Sequence, residues 1–343
     1  MTEAIAIFGN TVAREVQEVS TDPACLDSSG WWVVTQTFEG RFTAYRFGDV
    51  RVGREHIADI TPPTTAQNIP RSQWVSSMSQ FEYTRAVETI RSDIERGWVY
   101  QTNLCRVLTA ISATSINPLS LWLELQSANP APHGGLLHVP ELDVMVVSAS
   151  PELFLSRNAN ELVSSPIKGT ARQESDLLEK DNAENIMIVD LVRNDLSRVC
   201  TPGSVNVQDL LRLEHHPGLV HLVSDVVGSV SHNTTWKEIL EALTPPGSVS
   251  GAPKSSALEV IARLEPTPRD IYCGAFGWVN ANNDTASLAV AIRTFWQTKS
   301  SDGYSLHFGT GAGITWGSDP LGEWQETELK AQRLLSIAES HRG

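Results

Sequence analysis

ASLAVAIRT (Ala286–Thr294) and YSLHF (Tyr304–Phe308) are two strand-like runs joined by only nine residues. A crossover between parallel strands needs a dozen residues or more, usually a helix, so this pair must run antiparallel. Val144–Ser148 and Val220–Val230 have the same strand-like composition. Asp176–Leu196, Trp236–Leu243, Pro253–Leu264 and Pro320–Ala338 read instead as helices. Strands and helices do not alternate steadily, so an antiparallel α+β arrangement is expected rather than a doubly wound parallel sheet.

Upstream, Trp31–Val34 and Phe42–Phe47 are strand-like, with turn residues at Ser28-Ser29-Gly30 and Glu39-Gly40. Asp59–Arg71 is rich in Pro, Thr and Gln and is the best linker candidate. This divides the chain into an N-terminal region over 1–75 and a main domain over 76–343. Phe81, Val87, Ile90 and Ile94 recur at helical spacing up to a stop at Gly97, and Trp98–Thr109 reads as a strand.

At 343 residues, 41% of them hydrophobic and 19% charged, the chain has the profile of a soluble globular enzyme. A net charge of −14 argues against nucleic acid and anionic membranes as partners. An anionic substrate would therefore need a local positive focus. Cys25, Cys105, Cys200 and Cys273 lack metal-ligand spacing and are expected to be free thiols. With no basic leader and no apolar run of membrane-spanning length, a cytoplasmic location is expected.

The residues that carry chemistry begin with Pro166-Ile167-Lys168-Gly169-Thr170, which holds a primary amine on short, stiff backbone. Two predicted helices each carry acids one turn apart: Asp181 with Glu184, and Glu323 with Glu326. Any single pair would ordinarily face solvent. The segment after Glu184 is almost wholly apolar, however, so that helix is expected to be buried on most sides and its acids to need partners. Carboxylates from two helices suit a hard divalent cation such as Mg²⁺. Gly309–Gly313 (GTGAG) reads as a glycine-rich loop whose amides approach an anion closely. Gly247–Lys254 resembles a phosphate loop only superficially, because the glycine spacing is wrong and Pro253 removes a donor. Arg293 is either a rim ion pair or a carboxylate clamp, Glu152 a strand-edge acid or a general acid. His221, in an apolar strand, is by itself more often a core histidine.

Taken together, YQTNL, NPAPHGG, SASPELF, PIKGTAR, AENIMIVDLVRNDLSRV, HLVS, GSVSGAPK, YCGAFG, AIRT, GAGI and SDPLGEWQET stand in the order found in the chorismate-utilising enzymes. The chain resembles that family, which includes anthranilate, aminodeoxychorismate, isochorismate and salicylate synthases, from about Phe81 onward. The resemblance implies two stacked antiparallel β-sheets flanked by helices, with Mg²⁺ and chorismate between them. It implies Glu184 and Glu326 as direct Mg²⁺ ligands, with Asp181 and Glu323 assisting. Arg293, Tyr272 and the amides of Gly311 and Gly313 would hold the enolpyruvyl carboxylate. Lys330 is similar to a further carboxylate contact, and Ser248 and His221 to contacts on the ring.

Two positions sort the branches. Members that add water at ring carbon 2 have a lysine where this chain has Gln101, so isochorismate and salicylate synthesis are disfavoured. Anthranilate synthases have alanine where this chain has Lys168, and a lysine marks the aminodeoxychorismate branch. The resemblance then implies that Lys168 attacks carbon 2 while Glu152 acts as general acid, and that ammonia yields 4-amino-4-deoxychorismate for p-aminobenzoate and folate. No G-x-C-x-G glutaminase loop is present, so ammonia is expected from solution or a separate glutamine amidotransferase subunit. The alternatives are anthranilate synthase component I and a non-catalytic relative that binds chorismate or the glutaminase. His133, Pro246, Ser250 and Trp316 depart from the family pattern, yet every proposed ligand is in place.

Overall fold

Every ladder among the described strands is antiparallel, those joined by short connections necessarily so. The computed structural model describes residues 3–58, 60, 73–171, 173–177, 179–216, 219–301 and 303–339. From the N-terminus, β1 (Ile5–Phe8), β2 (Thr11–Ser20), β3 (Trp31–Gln36) and β4 (Phe42–Val52) lead to α1 (Arg54–Ala58). Then follow β5 (Val75–Ser76), α2 (Gln80–Glu95), β6 (Gln101–Ser112), α3 (Pro118–Ala128), β7 (Gly135–Val139) and β8 (Val144–Ser148). The middle holds β9 (Leu153–Asn158), β10 (Glu161–Ser165), β11 (Ile167–Ala171), α4 (Glu179–Ser197), β12 (Asn206–His216) and β13 (Leu219–Ser229). Last come α5 (Trp236–Leu243), β14 (Gly251–Ala252), α6 (Lys254–Leu264), β15 (Ala275–Asn280), β16 (Thr285–Val290), β17 (Thr294–Ser300), β18 (Gly303–Ile314) and α7 (Pro320–Glu339).

The α+β class and the antiparallel layers are as expected, with one difference: the two layers are joined into a single hydrogen-bonded sheet. One layer runs β12-β13-β10-β9-β16-β15-β3-β4-β2, with β11 also on β13. The other runs β1-β7-β8-β17-β18-β6, with β5 and β14 on β6. Phe8 of β1 meets Phe276 of β15 at 5.1 Å between ring centres, and Val33, Leu137, Val146 and Trp296 join the same apolar cluster. Burying each such side chain is worth about 1.5–3 kcal/mol. Strands on both sides of the expected boundary at 75/76 share ladders: β1 pairs with β7, and β3 with β15. Most of the linker expected over Asp59–Arg71 lies outside the described residues.

The expected strand Ala286–Thr294 is in fact two strands, β16 and β17, broken at 291–293. Its partner breaks at the same level, between β8 and β9, so a single two-stranded ribbon crosses from one layer into the other. Arg293 takes a left-handed φ of 52° in the break, and its carbonyl accepts from the Ala149 N–H at 3.0 Å. Glu152 lies in the facing break, its carbonyl accepting from the Val290 N–H at 3.1 Å.

Helices cover the outer faces. α3 packs on β7 and β8, α7 on β18, and the two helices on each other, through Trp122, Leu125, Leu334 and Leu335. α2 begins at a Ser79–Glu82 capping box and packs with α6 on β6 and β18. Phe81 was expected on the buried stripe of α2 but is 68% exposed, because the buried face begins one half-turn later at Tyr83. α4 is amphipathic rather than buried on most sides. Its Asn185, Ile188, Val189, Val192 and Leu196 face inward, while Ile186 and Asp190 face out.

Candidate active site

β6 and β18 build one wall. Their pairing sets Gly313 opposite Asn103, Gly311 opposite Cys105 and Gly309 opposite Val107. The N–H groups of Asn103, Cys105 and Val107 are spent elsewhere, on the Ser250 carbonyl, a Glu265 carboxylate oxygen and the Ser77 hydroxyl. These are therefore non-hydrogen-bonded pairs, and the amides of Gly309, Gly311 and Gly313 point to the opposite edge of β18. The β17 ladder stops at Phe308, so beyond Gly309 no strand among the described residues pairs with that edge. GTGAG is thus strand rather than the expected loop, and the amides of Gly311 and Gly313 are held in a row by the ladder behind them.

The absent side chains matter as much as the amides. A Cβ at Gly313 would stand 2.6 Å from Gln101 Nε2, 3.0 Å from Asn103 Oδ1 and 3.4 Å from Lys168 Nζ. Glycine lets these three groups converge. Gln101 is wholly buried, and neither of its amide atoms has a partner among the described residues. A buried, unsatisfied amide is costly unless a ligand completes it. At Gly309 a Cβ would meet the buried Tyr272 ring at 2.0 Å. Gly309→Ala is expected to cost about 1–3 kcal/mol through overpacking, read from the midpoint of chemical unfolding. An unchanged midpoint would mean the ring is free to shift.

Lys168 reaches this wall from β11 in the other layer. Burial pushes its ammonium down from the ordinary lysine value, against the pull of Glu152, Glu184 and Glu326, with Lys330 adding to the fall. The amine and both acid-bearing helices therefore share one cleft. Asp181 packs over the left-handed Gly169 (φ 83°), whose Cβ would stand 2.9 Å from the Asp181 Cβ. Burial raises the Glu323 carboxyl, eased by the Ser318 hydroxyl and increased by Glu326 and Glu184. Lys330 Nζ bonds Glu326 at 2.6 Å and the Gly311 carbonyl at 3.1 Å, tying α7 to the amide row.

Glu152 is 4% exposed, and burial raises its carboxyl to about 7. The Ser248 hydroxyl, the Lys168 charge, the Ile167 N–H and Arg293 each restrain that rise. Burial lowers Arg293, further lowered by Arg333 and opposed by Glu152. His221 is 1% exposed on β13, paired in register with Thr170. Sequence reasoning missed Asn103, whose amide donates to the Ser248 carbonyl at 2.9 Å and so fixes the residue that bonds Glu152. Its only signal was a place two residues along the strand from Gln101.

The four acids offer the hard oxygen donors that Mg²⁺ takes. Among the described residues no three His, Cys, Asp or Glu side chains yet converge closely enough to hold a metal. The crowded negative charge around Glu323 is chemistry a divalent cation would relieve. The cleft therefore fits the ion in the type of its donors, which are not converged on one point among the described residues.

The sequence model of the chorismate binding enzymes matches residues 36–336. The chain belongs to that family. Aminodeoxychorismate synthase component 1 of Klebsiella aerogenes is 32% identical over 98% of this chain and 77% of its own length. The Bacillus subtilis protein of the same name is 35% identical over 75% of this chain. Anthranilate synthase component 1 of Thermus thermophilus is 37% identical over 78% of this chain. The match spans only 56% and 59% of those last two relatives. Among solved chorismate binding enzymes, anthranilate synthase component I of Streptococcus pneumoniae shares the fold at TM-score 0.77 and 22% identity, covering 98% of this chain and 91% of that one. The menaquinone-specific isochorismate synthase of Escherichia coli shares it at 0.79 and 18%, covering 98% and 89%. No helix among the described residues is long and apolar enough to cross a membrane.

Proposed function

We propose that this chain aminates chorismate at ring carbon 4. The observation that carries the reading is the placement of the Lys168 amine, desolvated, between the amide row of β18 and the carboxyl of Glu152. Lys168 Nζ attacks carbon 2, both conjugated ring double bonds shift (C1=C2 to C1=C6 and C5=C6 to C4=C5), and the carbon-4 hydroxyl leaves as water with the proton of Glu152. Ammonia then adds at carbon 4 and expels the lysine, and the proton it sheds returns to Glu152. The product is 4-amino-4-deoxychorismate, a precursor of p-aminobenzoate and folate. Gly311, Gly313, Arg293 and Tyr272 hold the enolpyruvyl carboxylate, Lys330 a further carboxylate, and Gln101, Ser248 and His221 the ring side. The name component 1 in the relatives supports ammonia delivered by a separate glutamine amidotransferase.

Asp181, Glu184, Glu323 and Glu326 would hold Mg²⁺, which supplies positive charge for the ring carboxylate of a dianionic substrate in an otherwise acidic protein. Metal-stripped protein is expected to bind chorismate at least about tenfold more weakly by calorimetry, one lost charge contact being worth about 1.5–3 kcal/mol. Equal affinity with and without Mg²⁺ would remove the metal from the reading.

Incubating the chain with chorismate, Mg²⁺ and ammonium and weighing the product tests the reaction. Retention of the enolpyruvyl group supports it. Anthranilate, which lacks that group, would favour the second reading, anthranilate synthase component I, to which the 37% identity with the Thermus protein also points.

A further inference from the structure

Glu152 also lines a space that Lys168, Gln101 and Gly313 do not line. Its walls are mainly apolar, including Phe154, Val192, Leu243 and Val290, but Glu152, Ser164, Ser248 and Asp195 bring polar groups to it. Asp195 is 4% exposed and holds Lys254 Nζ at 2.5 Å, while Lys254 also reaches the Leu243 carbonyl at 3.5 Å. A Cβ at Gly247 would stand 3.6 Å from Asp195 Oδ2 and 2.8 Å from Leu191, so this wall is already tight. The space has room for about one water molecule, and a water needs two to four polar partners. A buried ion pair is tolerated only when its remaining lone pairs are satisfied. Glu152 and Asp195 both line this one space, with Ser164 and Ser248 as further polar neighbours.

We propose that the chamber holds one water molecule bridging Glu152 to the Asp195–Lys254 pair, which makes Asp195 a positioning residue for the proton on Glu152. The charged groups facing Glu152 are Lys168 and Arg293, and those facing Asp195 are Lys254 and Arg198. The bridge passes the charge state of the pair to the acid without contact with substrate. Its catalytic meaning rests on Glu152 being the acid of the proposed reaction, but its existence does not.

The test follows the infrared carbonyl band of protonated Glu152 in substrate-free protein, assigned by its loss in Glu152→Gln. Asp195→Asn leaves the Lys254 cation uncompensated across the water, so the Glu152 titration should fall by about half a pH unit or more. Val192→Ile fills the chamber with a methyl group and expels the water, so the titration should rise by about as much. Thermal unfolding confirms that each variant is folded. Opposite shifts establish the bridge. No shift in either variant, a shift in one alone, or shifts of the same sign would overturn it. If the infrared shifts appear while the pH profile of kcat does not follow them, the chamber stands and Glu152 is not the acid.

Discussion

Lys168→Ala is expected to lower formation of the carbon-4 amine by a hundredfold or more, about the scale on which a positioned reacting group acts. The loss should fall on kcat, because Arg293 and the β18 amides, proposed to hold chorismate, and the helix acids, proposed to hold its metal, are untouched. Ammonia that still reacts should appear at carbon 2, where the vacated amine leaves room, and the product mixture should shift toward anthranilate. Mass analysis of products at saturating ammonium reads both effects. Unchanged carbon-4 amination in the alanine variant would show that the amine is structural, whatever its position beside Gly313.

Glu152→Gln carries a comparable expectation, about 10²–10⁴-fold in kcat, since glutamine keeps the shape but has no proton to give. It also carries a signature independent of turnover. The Glu152 carboxyl titrates near 7 when folded, above its ordinary 4.5. Below about pH 4.5 both folded and unfolded chains are protonated, and the group contributes no pH dependence. Between about 4.5 and about 7 the unfolded chain ionises while the buried carboxyl stays neutral, so stability falls as pH rises. Above that window the loss is complete, at roughly 3 kcal/mol. Glu152→Gln should therefore unfold at a higher temperature than the parent above neutral pH and match it near pH 4. Lys168, lowered by burial, works with the opposite sign, so the comparison is variant against parent and not against a flat line. Parallel unfolding curves for the two proteins at all pH values would refute a neutral buried carboxyl. Activity should likewise decline on the alkaline side of about pH 7 as Glu152 ionises.

Much of the architecture was legible from local pattern. Val144–Ser148 matches β8 end to end, and the helix expected over Pro320–Ala338 forms one residue longer. Where the reading failed, a tertiary reason is visible. The run Ala286–Thr294 looks like one strand because its apolar pattern is continuous, yet the ribbon must change layers there, and the break puts a left-handed Arg293 beside the cleft. GTGAG looks like a loop because glycine disfavours strands. The β6 ladder overrides that preference, and the missing side chains admit Gln101, Asn103 and Lys168. The apolar segment after Glu184 looks buried all round, but a one-sided sheet contact needs only one stripe.

From the chain of residues alone came the antiparallel class, since connections too short for a helix permit nothing else, and the spacing that puts paired acids on one face of each of two helices. Only the folded molecule decided that those two faces meet over one amine, that burial outweighs three carboxylates and lowers the pKa of that amine, and that Glu152 keeps its proton to about neutrality. Spacing along a helix is a local property. Desolvation and electric field are sums over groups far apart in sequence, which only the packing of β11, α4, α7 and the ribbon crossing brings within reach of one another.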